Sequence, residues 1–294
     1  MTRTAFDELV RHAPGATKGI DNLFPDLSTR PTKRRVRRPA ILAAAVAAVT
    51  ATVLVVPMML PGGTASAAAL DNLSAAAGRQ PDKSTAGVLH QVVVDRQKGM
   101  ADRTLESWTL TDGTTWRRDT QTDGSVEYWK FAPLSGAPSL VPTAVAALPT
   151  DPADLDALVR SQVSGSMSTD EAVFVYYGDA LRLGYVPPAI RQAMLVAMKR
   201  LPYIATQKDV TIDGVACLKV TYSEPLRVAV GQYYCFDEST ASIVEEGDTE
   251  FASITFRSTV KVFDYVAAVP TTVTAQAVSP EGSTKQSTPT STPS

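Results

Sequence analysis

The chain has 294 residues, of which 44% are hydrophobic and 20% charged, enough for one sizeable domain plus flanking segments. Formal net charge is −2, but it is unevenly spread: residues 1–38 hold nine Lys/Arg against four Asp/Glu, leaving 19 against 26 for the remainder. That acidic remainder excludes a nucleic-acid surface, which needs clustered cations, and two cysteines are too few to staple a domain of this size.

Residues 1–38 carry one short amphipathic stretch around Thr4–His12, then Pro14, Pro25 and Pro31 break any further period. Phe24 and Leu27 are further apolar residues able to hold a partner. Lys33-Arg34-Arg35-Val36-Arg37-Arg38 leads directly into Pro39–Leu60, whose last 21 residues carry no charge. A helix of that length rises roughly 31 Å, close to a hydrocarbon core of about 30 Å. The pattern predicts a transmembrane helix over 39–60. By the positive-inside rule it predicts a cytoplasmic basic tail over 1–38 and an exterior remainder. Ala65-Ser66-Ala67 has the small residues of a signal-peptide cleavage site, so a secreted protein cut after Ala67 is the competing expectation.

Segment 61–85 is expected to hold a juxtamembrane helix from Ala65 to Ala77, with Leu70, Leu73 and Ala77 on one side, and then a linker. From Gly87 the period changes to two. Val88–Val94 predicts a strand, and Leu105–Thr111, Thr114–Thr120 and Ser125–Phe131 follow as a meander turned at Asp112-Gly113 and Asp123-Gly124. Trp108, Trp116 and Trp129 all fall in this meander. Three helices follow, opened by Thr150-Asp151-Pro152, by Thr169-Asp170-Glu171 and by Pro187-Pro188. The last places Ile190, Met194, Ala197 and Leu201 on one stripe. Strands return over Val210–Ile212, Val215–Tyr222, Val228–Phe236, Ser242–Glu250 and Ile254–Val266. From Pro270 the Ser/Thr/Pro-rich tail, 270–294, lacks apolar periodicity and is expected to be disordered.

The expected fold is therefore α+β: one transmembrane helix followed by a curved antiparallel β-sheet packed against two or three helices, the exterior domain spanning 86–269. No nucleotide loop, nucleophile elbow or zinc-protease motif occurs. His90 is the only histidine of that domain, so a triad or zinc site has few ligands to draw on. No catalytic residue, metal or cofactor is expected. Glu245, Glu246, Asp248 and Glu250 are open to a Ca²⁺ reading and to a plain one, a solvated or edge-protecting face. A hairpin placing Cys217 opposite Cys235 would bring the thiols to one sheet face within reach of a disulfide. Two free buried thiols are the alternative.

Several segments resemble a known family. Leu148-Pro149-Thr150-Asp151-Pro152, Val186-Pro187-Pro188-Ala189-Ile190-Arg191, Asp213-Gly214-Val215-Ala216 and Phe236-Asp237-Glu238-Ser239-Thr240 look like actinobacterial single-pass membrane proteins often encoded beside extracytoplasmic-function sigma factors. More distantly, the strand–helix–strand order is similar to lipoprotein-carrier proteins and to sensor domains of envelope-stress sigma regulators. Residues 1–38 depart from true anti-sigma factors, lacking their His/Cys zinc pattern. The resemblance implies a cell-envelope protein, single-pass in the cell membrane, whose outer domain senses an envelope component and acts on a cytoplasmic regulator through residues 1–38. The alternative it implies is a lipid or lipoprotein carrier, with Trp108, Trp116, Trp129, Ile190 and Met194 lining the binding face. A plain envelope scaffold is the third reading.

Overall fold

A computed structural model describes residues 64–133, 138–227, 229–251 and 253–280. The elements run α1 (Thr64–Gly78), β1 (Val88–Gln97), β2 (Arg103–Thr109), β3 (Thr115–Gln121), β4 (Val126–Phe131), α2 (Pro142–Val145), α3 (Pro152–Gln162), α4 (Thr169–Arg182) and α5 (Pro188–Met198). Then come β5 (Ile204–Ile212), β6 (Val215–Ser223), β7 (Val230–Asp237), β8 (Ile243–Glu250), β9 (Ser253–Val266) and α6 (Thr271–Gln276). All nine strands join one antiparallel sheet in the order β4-β3-β2-β1-β9-β8-β7-β6-β5. Both ends of the chain order are meanders, and the long β9 closes the gap by pairing with β1 on one side and β8 on the other.

The α+β character agrees with the sequence; the membrane-spanning part of the expected fold is corrected. Among the described residues no helix is long and apolar enough to cross a membrane, and the stretch 39–60 lies outside them. The single-pass topology, the cell-membrane localisation, the membrane as partner and the cytoplasmic contact through 1–38 therefore have no counterpart in the described fold. The helix expected beside the membrane, α1, belongs to the domain itself: Leu70, Leu73 and Ala77 lie in the main core. The tail expected to be disordered from Pro270 begins with α6, whose Val273 is buried, and Val278 then pairs with Trp129 beside β4.

The turns form where short polar side chains take up loose backbone donors. Asp112 accepts from the Thr114 N–H and Asp123 from the Ser125 N–H, each at 2.8 Å, which lets Gly113 and Gly124 adopt positive φ. Helix α3 starts at Asp151, whose carboxylate accepts from the N–H of Ala153 and Asp154. Helix α4 starts one residue earlier than the sequence suggests, at Ser168, which accepts from the Glu171 N–H at 3.1 Å, while Glu171 reaches back to the Met167 N–H at 2.7 Å. The arrangement is close to a capping box.

The main core lies between the helices and one half of the sheet. Leu218, Val220 and Tyr222 of β6, Tyr234 and Phe236 of β7, and Ile243 of β8 meet α4, α5, α3 and α1 there. Helix α4 is enclosed almost all round, with every residue from Glu171 to Leu181 buried. Phe174 stacks on Tyr222 at 5.4 Å and meets Tyr234 at 5.1 Å. One turn later Gly178 sits so close to the sheet that a Cβ there would lie 1.9 Å from the Tyr234 ring. Glycine is thus required by packing, against its low helix propensity. Gly178→Ala should destabilise the domain by about 2 kcal/mol or more through overpacking, read as a lower urea midpoint; an unchanged midpoint would show that α4 does not seat on Tyr234.

Candidate functional site

The main core draws its sheet residues from β5–β8, and the face that β1, β2, β3 and β9 turn toward the helices is left for another use. Strand alternation puts Gln91 and Val93 of β1, Leu105, Ser107 and Thr109 of β2, and Val260 of β9 on that face. Between it and the end of α4 lies a cleft of about 120 Å³. Val93, Leu105 and Val260 form its apolar floor, with Leu183 and Ile243 at the side. Phe131 and the segment Leu140-Val141-Pro142 form its other wall.

Tyr185 pins the near end of this face: its hydroxyl accepts from the Leu89 N–H at 2.7 Å and lies 2.7 and 2.6 Å from the carbonyl oxygens of Gly87 and Thr109. Gln91 donates to the Arg182 carbonyl at 3.1 Å, tying β1 to the last turn of α4.

The polar groups of the cleft are held by one another. Arg182 donates to Asp179 at 3.1 Å and pairs with Glu246 of β8. Burial alone would lower the Arg182 pKa, but Glu246 and Asp179 outweigh it and raise it, so the guanidinium is charged at any ordinary pH. On the opposite wall Arg117 of β3 makes a two-pronged bond to Asp119, Nε to Oδ1 at 2.6 Å and Nη2 to Oδ2 at 2.7 Å. Its guanidinium carbon lies 4.8 Å from the centre of the Phe131 ring. Asp119 is 1% exposed; burial raises its pKa, and the adjacent Arg117 only partly offsets that. Among the described residues no group of three or more His, Cys, Asp or Glu side chains is placed to hold a metal ion.

None of the five residues expected to line a binding face is among the residues lining this cleft. Trp108 and Trp116 are cross-strand partners that alternate onto the opposite face of the sheet. There they join Val88 and Val273 in a small second core under α6, and Lys130 sits over the Trp116 ring at 5.1 Å. Trp129 is on the cleft face, opposite Arg117, but it is buried beside the α6 extension rather than in the cleft. Ile190 and Met194 are solid main-core residues.

His90 lies on the outer face, stacked on Trp108 at 5.2 Å, with Asp264 and Glu106 each 2.9 Å from a ring nitrogen. Of the acidic row, Glu246 is buried against Arg182 because β8 is an interior strand, not an edge.

Cys217 and Cys235 are free thiols here. The register pairs Cys217 with Asp237 and Cys235 with Lys219, two residues off direct opposition. The shift arises because Ser223 pairs with Gly231 and the intervening loop folds on Glu224, which accepts from the Leu226 N–H at 2.9 Å. Both thiols still share one buried cluster with Tyr233, and burial raises both pKa values. What sequence reasoning missed are Arg117, Arg182 and Leu105. A sheet position carrying Arg opposite a helix end has no sequence signature until the register is known.

No family model matches the sequence, and no curated protein matches it. Among solved structures the chain is similar to a chain of the Pseudomonas aeruginosa MucA/MucB complex, at 12% identity and a TM-score of 0.32, covering 71% of this chain and 59% of that one. It is similar to MucB alone at 14% identity and a TM-score of 0.34, over 72% and 62%. A putative outer membrane lipoprotein-sorting protein domain from Vibrio parahaemolyticus matches at 7% identity and a TM-score of 0.24, over 69% and 94%. The chain thus spans about three fifths of the MucB chains it matches. The similarity is distant, and the functional reading rests on the cleft itself.

Arg182 is the residue whose loss the cleft tolerates least. Arg182→Met leaves Asp179 and Glu246 without their shared cation and should cost about 3 kcal/mol of stability, measured by urea unfolding. Adding Glu246→Gln to that variant should recover part of the loss; no loss in the single variant would show that the cluster is solvated.

Proposed function

We propose that the described domain is a non-enzymatic binding module of carrier type, taking the end of an acyl chain of a lipid or lipoprotein into the cleft between α4 and the β1–β3/β9 face. The observation that carries this reading is the division of the sheet. One half of its helix-facing surface is filled by core, while the other half keeps an apolar floor of Val93, Leu105 and Val260 around open volume. A mostly apolar concavity with a few fixed polar groups is what small hydrophobic ligands occupy. The polar groups support binding over catalysis. Arg182 is engaged with both Asp179 and Glu246, and among the described residues no group of three or more His, Cys, Asp or Glu is placed to hold a metal ion. An envelope setting, where acyl-bearing ligands occur, is part of this reading.

A sensor that reports its ligand to a regulator would use the same cleft. The carrier reading is preferred because every group it needs is among the described residues.

Val260→Trp would fill the floor without touching the ionic cluster. The full-length protein should bind the neutral dye Nile red at one site with enhanced emission, and Val260→Trp should lose that site while still unfolding cooperatively. Dye binding that survives the substitution unchanged would place the ligand elsewhere and overturn the carrier reading of this cleft.

A further inference from the structure

Arg117 is built differently from the other cation of the cleft. Its side chain is 6% exposed, yet it lines open volume. Asp119 takes the Nε and Nη2 edge in a planar fork, and the Phe131 ring covers one side of the guanidinium. Three contacts thus hold the group in one orientation. The remaining amine, Nη1, carries two N–H donors that make no hydrogen bond among the described residues. A guanidinium has five donors and no acceptor, so the Asp119 fork leaves the two Nη1 donors available to an acceptor in the cleft. An oxygen acceptor brought by a ligand would satisfy them at little further ordering cost, because the fork is already fixed.

The charge around Arg117 narrows what that acceptor is. The lining holds Arg117, Arg182, Asp179 and Glu246, and Asp119 stands directly behind Arg117. Two cations against three carboxylates give no net positive field, so an anionic head would gain little and lose its hydration. A neutral carbonyl accepts the same two hydrogen bonds without that penalty. The apolar partners fit as well: Phe131 places hydrocarbon next to the guanidinium and Leu105 lines the same cleft, so a chain and its carbonyl are served by one cleft.

Resting on the carrier reading above, we propose that Arg117 is the head anchor of the cleft. It donates through Nη1 to the carbonyl oxygen of a neutral acyl ester or amide, which the cleft selects over the free fatty acid. Arg117 is then a specificity-determining residue, and Asp119 the residue that positions it.

The test is displacement of Nile red from the full-length protein by monodecanoylglycerol and by decanoate at neutral pH. The ester should displace the dye at least about five-fold more tightly than the acid. Arg117→Gln combined with Asp119→Asn, which removes both charges together, should lose that preference, so that ester and acid displace the dye alike. Equal displacement by ester and acid in the wild type, or a preference retained in the double variant, overturns the anchor and leaves the cleft standing. Failure of the wild type to bind dye and ester alike overturns the anchor and the carrier reading together. Should the double variant lose its dye site, Arg117→Lys decides. It keeps the ion pair with Asp119 but not the second prong, and a preference that survives in it overturns the anchor.

Discussion

Everything in the described domain follows from how closely α4 lies on the sheet. The missing side chain at Gly178 lets the helix backbone come down onto the Tyr234 ring, and Phe174 one turn earlier seats against Tyr222 and Tyr234. That contact fixes α4 over β6 and β7, and α3 and α5 then pack on α4 to complete the main core. A nine-stranded sheet is wider than the helical layer that covers it, so among the described residues the surface beyond β8 faces the last turn of α4, the Leu183–Tyr185 segment that follows it and Leu140–Pro142. The cleft is the consequence of a narrow helical layer on a wide sheet.

Charge keeps the cleft from collapsing into more core. Apolar side chains alone on that face would gain by closing the gap, but Arg182, Asp179 and Glu246 at one wall and Arg117 with Asp119 at the other must stay paired. Separating either set would strand a buried charge. A further pair, Arg103 with Asp95 at 3.0 Å, extends this polar ladder along β1 and β2. These pairs contribute little net stability compared with an apolar replacement of equal volume. Their effect is on shape: each wall keeps a fixed polar set beside the apolar floor.

Much of this architecture was legible in the sequence because it rests on local chemistry. Asp112-Gly113 and Asp123-Gly124 mark their turns wherever they occur, and Asp151-Pro152 caps a helix by short-range bonds. The site was not legible, because it depends on which face each strand turns inward. Trp108 and Trp116 are the kind of residues that line ligand cavities, yet alternation sends them to the far face, under α6. Arg117, one residue away in β3, goes to the cleft. A shift of one residue in register exchanges the two faces, whereas the two-residue difference in the β6–β7 pairing sets Cys217 diagonal to Cys235 on the same face rather than directly opposite it. Ile190 and Met194 form a correct helix stripe, but a stripe does not say whether solid core or a cavity faces it.

On the proposed reading the ligand lies on the cleft face of β1–β3 and not on the tryptophan face. Hydrogen–deuterium exchange of the full-length protein, with and without monodecanoylglycerol, tests it most directly. A ligand in the cleft should bring new protection to Leu140–Val145, the last turn of α4 and β2 and β3, with α6 unchanged. Protection concentrated in α6 and the Val266–Val269 segment that packs on Trp108 would put the ligand on the opposite face and contradict it.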